Sequence, residues 1–99
     1  MVYVANWPAV RSNAWKSLLK ARAIENMSYV VGVNRIGQDA NKIKYNGTSR
    51  VYDFKGERMD NFKDNMPSVQ INNLVKSELD SFRNKFPVLK DADDFNLII

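Results

Sequence analysis

Tyr29-Val30-Val31-Gly32-Val33-Asn34 is an apolar run closed by a single asparagine. So short a run, rich in β-branched residues, reads as a strand covered on both faces. Gly32 interrupts it at a point where glycine marks close backbone approach. Ninety-nine residues suffice for one small domain with a modest core, burying roughly 60–65% of the unfolded surface.

Val2 to Asn6 reads as a second short strand, and Trp7-Pro8 ends it because proline holds the preceding residue extended. Ser12 is the expected N-cap of a helix over Asn13–Met27. Asn13, Lys16, Ser17 and Lys20 form its polar face, and Trp15, Leu18 and Leu19 the apolar one. Arg22 falls two turns after Trp15, with Glu25 and Asn26 three and four residues on. These three polar groups are expected on the apolar side, as a buried structural network, since buried charge must be paired and hydrogen-bonded.

The spacing predicts a polar loop from Arg35 to Lys42 and then a hairpin. Its strands are Ile43–Tyr45 and Thr48–Tyr52, and Asn46-Gly47 forms the two-residue turn. Asp53-Phe54-Lys55-Gly56 is a second turn with Gly56 in the left-handed position. A weaker strand is expected over Glu57–Phe62, a half-buried strand over Ser68–Asn72, and a helix over Val75–Phe86 stopped by Pro87. A lone helix between the first two strands suits a parallel crossover, followed by a meander. The fold class is α/β, mixed α+β, in layers.

Composition narrows the chemistry. The chain contains no cysteine and no histidine, which removes disulfides, thiolate metal sites and the commonest general base. No stretch reaches the ~18 apolar residues of a bilayer span. The first residues lack the basic start of a signal peptide. A cytoplasmic location, no membrane and no metal or organic cofactor are the expectations. The net charge is +4, but Lys16, Lys20, Lys42, Lys44, Lys55, Lys63, Lys76, Lys85 and Lys90 are spread out. No nucleic-acid partner is expected, and a small basic binding module ranks behind the other readings.

Three strings carry a family likeness: Val4-Ala5-Asn6-Trp7-Pro8, then Ala21-Arg22-Ala23-Ile24-Glu25-Asn26, then Lys85-Phe86-Pro87 leading into Lys90-Asp91-Ala92-Asp93-Asp94-Phe95. Together they resemble the C-terminal part of carbon–nitrogen hydrolases of the nitrilase superfamily, in the omega-amidase-like branch. The resemblance implies the C-terminal portion of an α-β-β-α sandwich, here one partial domain over residues 1–99. It implies hydrolysis of small omega-amides of 2-oxo acids to acid and ammonia by a Glu-Lys-Cys set, with Cys forming a thioester.

None of that set can be placed on this chain, so the chain alone is expected to be inactive. Either a missing N-terminal half or a separate partner chain would complete it. By the same resemblance Asn6 and Trp7 belong to the substrate pocket, or else to a turn and a core anchor. Arg11 grips a substrate carboxylate, or is a solvated loop cation. Family members assemble through helices of this region, so a homo-oligomer is expected, with Trp15, Leu18 or Tyr29–Val33 partly open. The chain departs from the family pattern at Phe54, where proline is common, which implies a less rigid turn. It departs also at Ala40 and at Gly47-Thr48-Ser49.

Overall fold

The computed structural model describes all 99 residues. Strand β1 (Val2–Ala5) leads through a 3-10 turn at Ala9–Arg11 into helix α1 (Ser12–Glu25), which returns the chain to β2 (Val30–Asn34). β1 and β2 pair in parallel, Val2 opposite Val31 and Ala5 opposite Asn34. Parallel neighbours need such a crossover, because no tight turn can join them. β3 (Ile36–Gln38), β4 (Lys44–Asn46), β5 (Arg50–Tyr52) and α2 (Lys76–Lys85) follow. β5 lies antiparallel on the far side of β2, giving the order β1-β2-β5. β3 and β4 make a separate antiparallel pair. The architecture is mixed α/β, as expected.

α1 packs on one face of the three-stranded sheet. Trp15, Leu19 and Ala23 form its buried stripe at i, i+4, i+8, against Val30 and Tyr52, with Ala5 and Trp7 at the margin. Gly32 sets the separation. A Cβ there would stand 2.3 Å from Leu19 Cδ1 and 2.9 Å from Trp15 Cζ2, far inside van der Waals contact. Because side chains alternate across a strand, Val2, Val4, Val31 and Val33 point to the opposite face. Val2 is 69% exposed, Val4 82% and Val33 45%, so that face is largely bare. β1 is also an edge strand, with one side unpaired.

Several expectations are corrected. Lys44–Asn46 and Arg50–Tyr52 do not form a hairpin, because they belong to different sheets. Gly47 and Thr48 have φ values of 79° and 58° and carry the chain from one sheet to the other. The hairpin forms one element earlier, between β3 and β4, with β3 and the turn lying in the expected polar loop. Its turn is held by Asp39 Oδ1, which accepts from the Asn41 and Ile43 N–H groups at 2.9 Å each. A carboxylate-built turn outcompetes Asn-Gly here because Asn46 is bound to Ser12 Oγ (2.8 Å) and Gly47 O to Asn34.

Ser12 is not an N-cap: its hydroxyl donates to Ala9 O at 2.7 Å, and the 3-10 turn runs directly into α1. Ser68–Asn72 forms no strand, with Val69 and Ile71 over 90% exposed. Over Glu57–Phe62 only the bridge Tyr52–Arg58 forms. Trp15 is buried, while Leu18 and Val33 stand nearly half open.

Arg22, Glu25 and Asn26 do meet. Arg22 Nη1 donates to Glu25 Oε1, and Asn26 Nδ2 donates to Arg22 O (3.0 Å) and, more weakly, to Glu25 Oε1 (3.4 Å). They meet on the surface, however, with the Arg22 and Glu25 side chains half exposed. The stripe facing the sheet follows four-residue steps, so Leu18, Arg22 and Glu25 stand on its flank. The 53–56 turn forms with Gly56 at φ 83°, and Asp53 Oδ1 accepts from the Lys55 and Glu57 N–H groups. Phe54 is buried between Tyr29 and Phe82, at ring distances of 5.2 and 4.9 Å. Packing thus anchors the position where proline would have preset the backbone.

Arg83 joins α2 to the end of α1 by donating through Nε to Met27 O at 2.9 Å, a cation placed where a helix C-terminus leaves carbonyls unpaired.

Gly32→Ala is expected to destabilise the chain by about 1–3 kcal/mol through overpacking. Leu19→Ala costs about 2–5 kcal/mol by itself but removes the clashing methyls, so the double variant should lose less than the sum of the two single losses. Urea unfolding of the single and double variants checks both, and strictly additive losses would contradict the close-approach assignment.

Candidate functional site

The C-terminal ends of β1 and β2 lie side by side, where α/β sheets place ligands. Asn34 is the residue that organises them. It is buried, 9% exposed, at the end of β2. Its Oδ1 accepts the Trp7 N–H at 2.8 Å, and its Nδ2 donates to Trp7 O at 3.0 Å and to Gly47 O at 2.7 Å. The carboxamide thus pairs with the Trp7 peptide as a neighbouring strand's backbone would, continuing the β1–β2 pairing past Ala5. The Asn34 N–H donates to Ser49 Oγ at 3.0 Å, and that hydroxyl lies 3.3 Å from Asn34 O. β1, β2 and the 47–49 crossing are therefore tied at one residue.

From Trp7 the order passes outward. Trp7 Nε1 donates to Arg11 O at 2.6 Å, and the Arg11 guanidinium carbon stands 5.0 Å from the Trp7 ring centroid. Stacking of this kind holds a guanidinium while leaving its donors free. Behind it, Trp7 packs on Trp15 at 5.5 Å between centroids, and Trp15 Nε1 donates to Thr48 O at 2.9 Å. Trp7 is thus both anchored in the aromatic core and in contact with Arg11. Asn6 and Arg11 are exposed at the mouth of this corner.

A second feature adjoins it. An open groove of about 420 Å³ runs along the other side of the β2 end, lined among others by Val33, Asn34, Arg35, Ser49, Phe62 and Lys63. Asn6, Trp7 and Arg11 do not line it; Asn34 and the 47–49 crossing bound to it belong both to the groove and to the Trp7 corner. Its outer wall is pinned by Asp60. That side chain is fully enclosed and accepts from Val51 N–H (2.7 Å), Phe62 N–H (3.0 Å) and Arg58 Nη2 (2.7 Å). Burial pushes the Asp60 carboxyl up. The hydrogen bonds from Arg58, Val51 and Phe62, with the Arg58 charge, outweigh burial and hold it below the ordinary carboxylate value.

No group of three or more acidic, histidine or cysteine side chains is arranged to hold a metal, and no helix is long and apolar enough to cross a membrane. The sequence reading singled out Asn6, Trp7 and Arg11 but missed Asn34 and Asp60. Asn34 carried one signal: a polar residue ending an apolar, doubly covered run.

The fold is that of a parallel-crossover α/β layer with an open edge and a bare sheet face. The carbon-nitrogen hydrolase family model matches residues 2–84, and the chain belongs to that family. It is 46% identical over 96 residues to the omega-amidase YafV of Escherichia coli K12, covering 97% of this chain and 38% of that protein. It is 37% identical over 90 residues to the 2-oxoglutaramate amidase of Paenarthrobacter nicotinovorans, covering 91% and 30%. Among solved structures it superposes on XC1258 of Xanthomonas campestris with a TM-score of 0.90 at 42% identity, over 97% of this chain and 36% of that one. XC1258 is described as a CN-hydrolase superfamily protein with an arsenic adduct in its active site. The chain spans about a third of the length of these proteins, from 30% to 38%.

Asp60→Asn is expected to lower stability at neutral pH by about 1–3 kcal/mol, because an amide nitrogen would replace one of the two acceptor oxygens and face either the Val51 N–H or the Arg58 and Phe62 donors. The wild-type carboxylate has a lowered folded pKa, so its contribution is complete above the unfolded value of about 3.9 and is lost as pH falls through the folded one. The gap between variant and wild type should therefore close in acid. Melts from pH 7 to pH 2 that stay parallel would contradict this.

Proposed function

We propose that this chain forms the C-terminal portion of an omega-amidase-type carbon–nitrogen hydrolase, contributing pocket wall and assembly surface and not the reacting groups. The substrate class is small omega-amides of 2-oxo dicarboxylic acids, released as acid and ammonia. The observation that carries the reading is the match of nearly the whole chain to a third of two amidases, in a chain without a single cysteine. A thioester mechanism needs a thiol. The Glu, Lys and Cys of the reaction then lie outside these 99 residues, on an N-terminal portion or on a separate chain. The unpaired edge of β1 and the bare Val2, Val4 and Val33 face are where that portion would dock. The half-open Leu18 and Ile24 of α1 offer a self-contact for a homo-oligomer.

Arg11 is assigned to the substrate carboxylate. Its guanidinium is exposed, stacked and free of any carboxylate partner within the chain. The test compares the purified chain with a fusion in which it replaces the matching third of the Escherichia coli enzyme. The chain alone should release no ammonia from 2-oxoglutaramate, and the fusion should. Turnover by the isolated chain would overturn the assignment of the reacting groups, and an inactive, folded fusion would overturn the family activity for this segment. Within an active fusion, Arg11→Ala should raise KM on the order of 10–100-fold with kcat largely kept, because it removes a charge-assisted clamp remote from the amide.

A further inference from the structure

We propose that Asn34 is a positioning residue: its carboxamide fixes the Trp7 backbone and, through Trp7, the location of Arg11 at the substrate mouth. The inference rests on the reading of Arg11 and Trp7 as pocket wall and goes beyond it by naming what holds that wall in place.

Four observations converge. Asn34 spends three carboxamide hydrogen bonds on two segments, accepting from and donating to the Trp7 peptide and donating to Gly47 O. An amide is the side chain that offers both an acceptor and two donors in one plane. β1 ends at Ala5 and β2 at Asn34, so past this point no backbone ladder holds Trp7 to the sheet. Trp7 then governs Arg11 twice, through the Nε1 bond to Arg11 O and through the ring beneath the guanidinium. The structure gives Arg11 no salt-bridge partner that would hold it independently.

The alternative is that Asn34 merely satisfies buried backbone. The two differ in what Asn34→Asp does. Aspartate keeps the size and the acceptor for the Trp7 N–H but turns both donated bonds into oxygen facing oxygen, at Trp7 O and Gly47 O. A positioning role predicts that the Trp7 corner loosens selectively. A merely structural role predicts a general loss of stability without a change in substrate recognition.

Two measurements decide. In the isolated chain, hydrogen exchange followed by NMR should show the Trp7 amide and indole N–H exchanging at least about tenfold faster in Asn34→Asp, with Val30 and Leu19 amides changing far less, as expected of a local opening. Unchanged Trp7 exchange, or an equal rise at every amide, would overturn the inference whatever the activity. In the active fusion, Asn34→Asp should raise KM on the order of tenfold more than it lowers kcat, because misplacement by an ångström is enough to lose a binding contact. Val30→Ala destabilises through the core and serves as control, and its KM should stay near wild type. A KM shift in Val30→Ala equal to that in Asn34→Asp would refute positioning. An inactive unsubstituted fusion would instead count against the amidase reading, while the exchange measurement still judges the Asn34–Trp7 link.

Discussion

The close approach of α1 to β2 is the constraint on which the rest of this chain depends. Gly32 has no side chain, and Leu19 and Trp15 occupy the space a methyl would take. Ala23 is fully buried one turn beyond. Small residues on one side and large ones on the other let a single helix cover the α1-facing side of β2 and reach Tyr52 on β5. A core this small gains most of its cohesion from such contacts, because dispersion between closely packed atoms is weak singly and large in sum. Had the helix stood farther off, Trp15 would not reach Thr48 O, and the corner built on Trp7 would have no floor.

On that base, order is passed along by hydrogen bonds instead of regular pairing. The strands are only three to five residues long, and beyond their ends side chains take over the role of backbone. Asn34 extends the β1–β2 ladder, and Asp60 caps the β5 edge by accepting the Val51 N–H. Asp39 and Asp53 close turns in the same manner. Each replaces a peptide partner by a carboxylate or carboxamide whose position is set by its own strand or turn. The asymmetry of the sheet then follows. One face carries α1, and the other leaves Val2, Val4 and Val33 largely in solvent.

How much of this was legible varies with the range of the interactions. The strand at Tyr29–Asn34, the crossover helix and the parallel pairing follow from local pattern, but the expected cover on both faces of that strand does not form: α1 covers one side, and Val33 on the other is 45% exposed. The Gly56 turn was legible for the same local reason. The Asn46-Gly47 hairpin was not, because its two flanks are claimed by different sheets through Asn34 and Ser12, neighbours 12 or more residues away. Alternation at Ser68–Asn72 suggested a strand, but no partner lies beside it. At the candidate site, Trp7 and Arg11 were visible as residue types in a recognisable string, whereas Asn34 gains its meaning only from what it touches.

The amino-acid sequence by itself determined the family, the layered class, the apolar strand at Tyr29–Asn34 and the absence of a thiol nucleophile, all of which reside in residue identity and short-range order. Only the tertiary structure decided which face of α1 meets the sheet, that Arg22, Glu25 and Asn26 meet on the surface, and that one asparagine ties β1, β2 and the 47–49 crossing together. Those outcomes depend on distances between segments remote in the chain. A string of residues does not contain such distances until the helix has settled against Gly32.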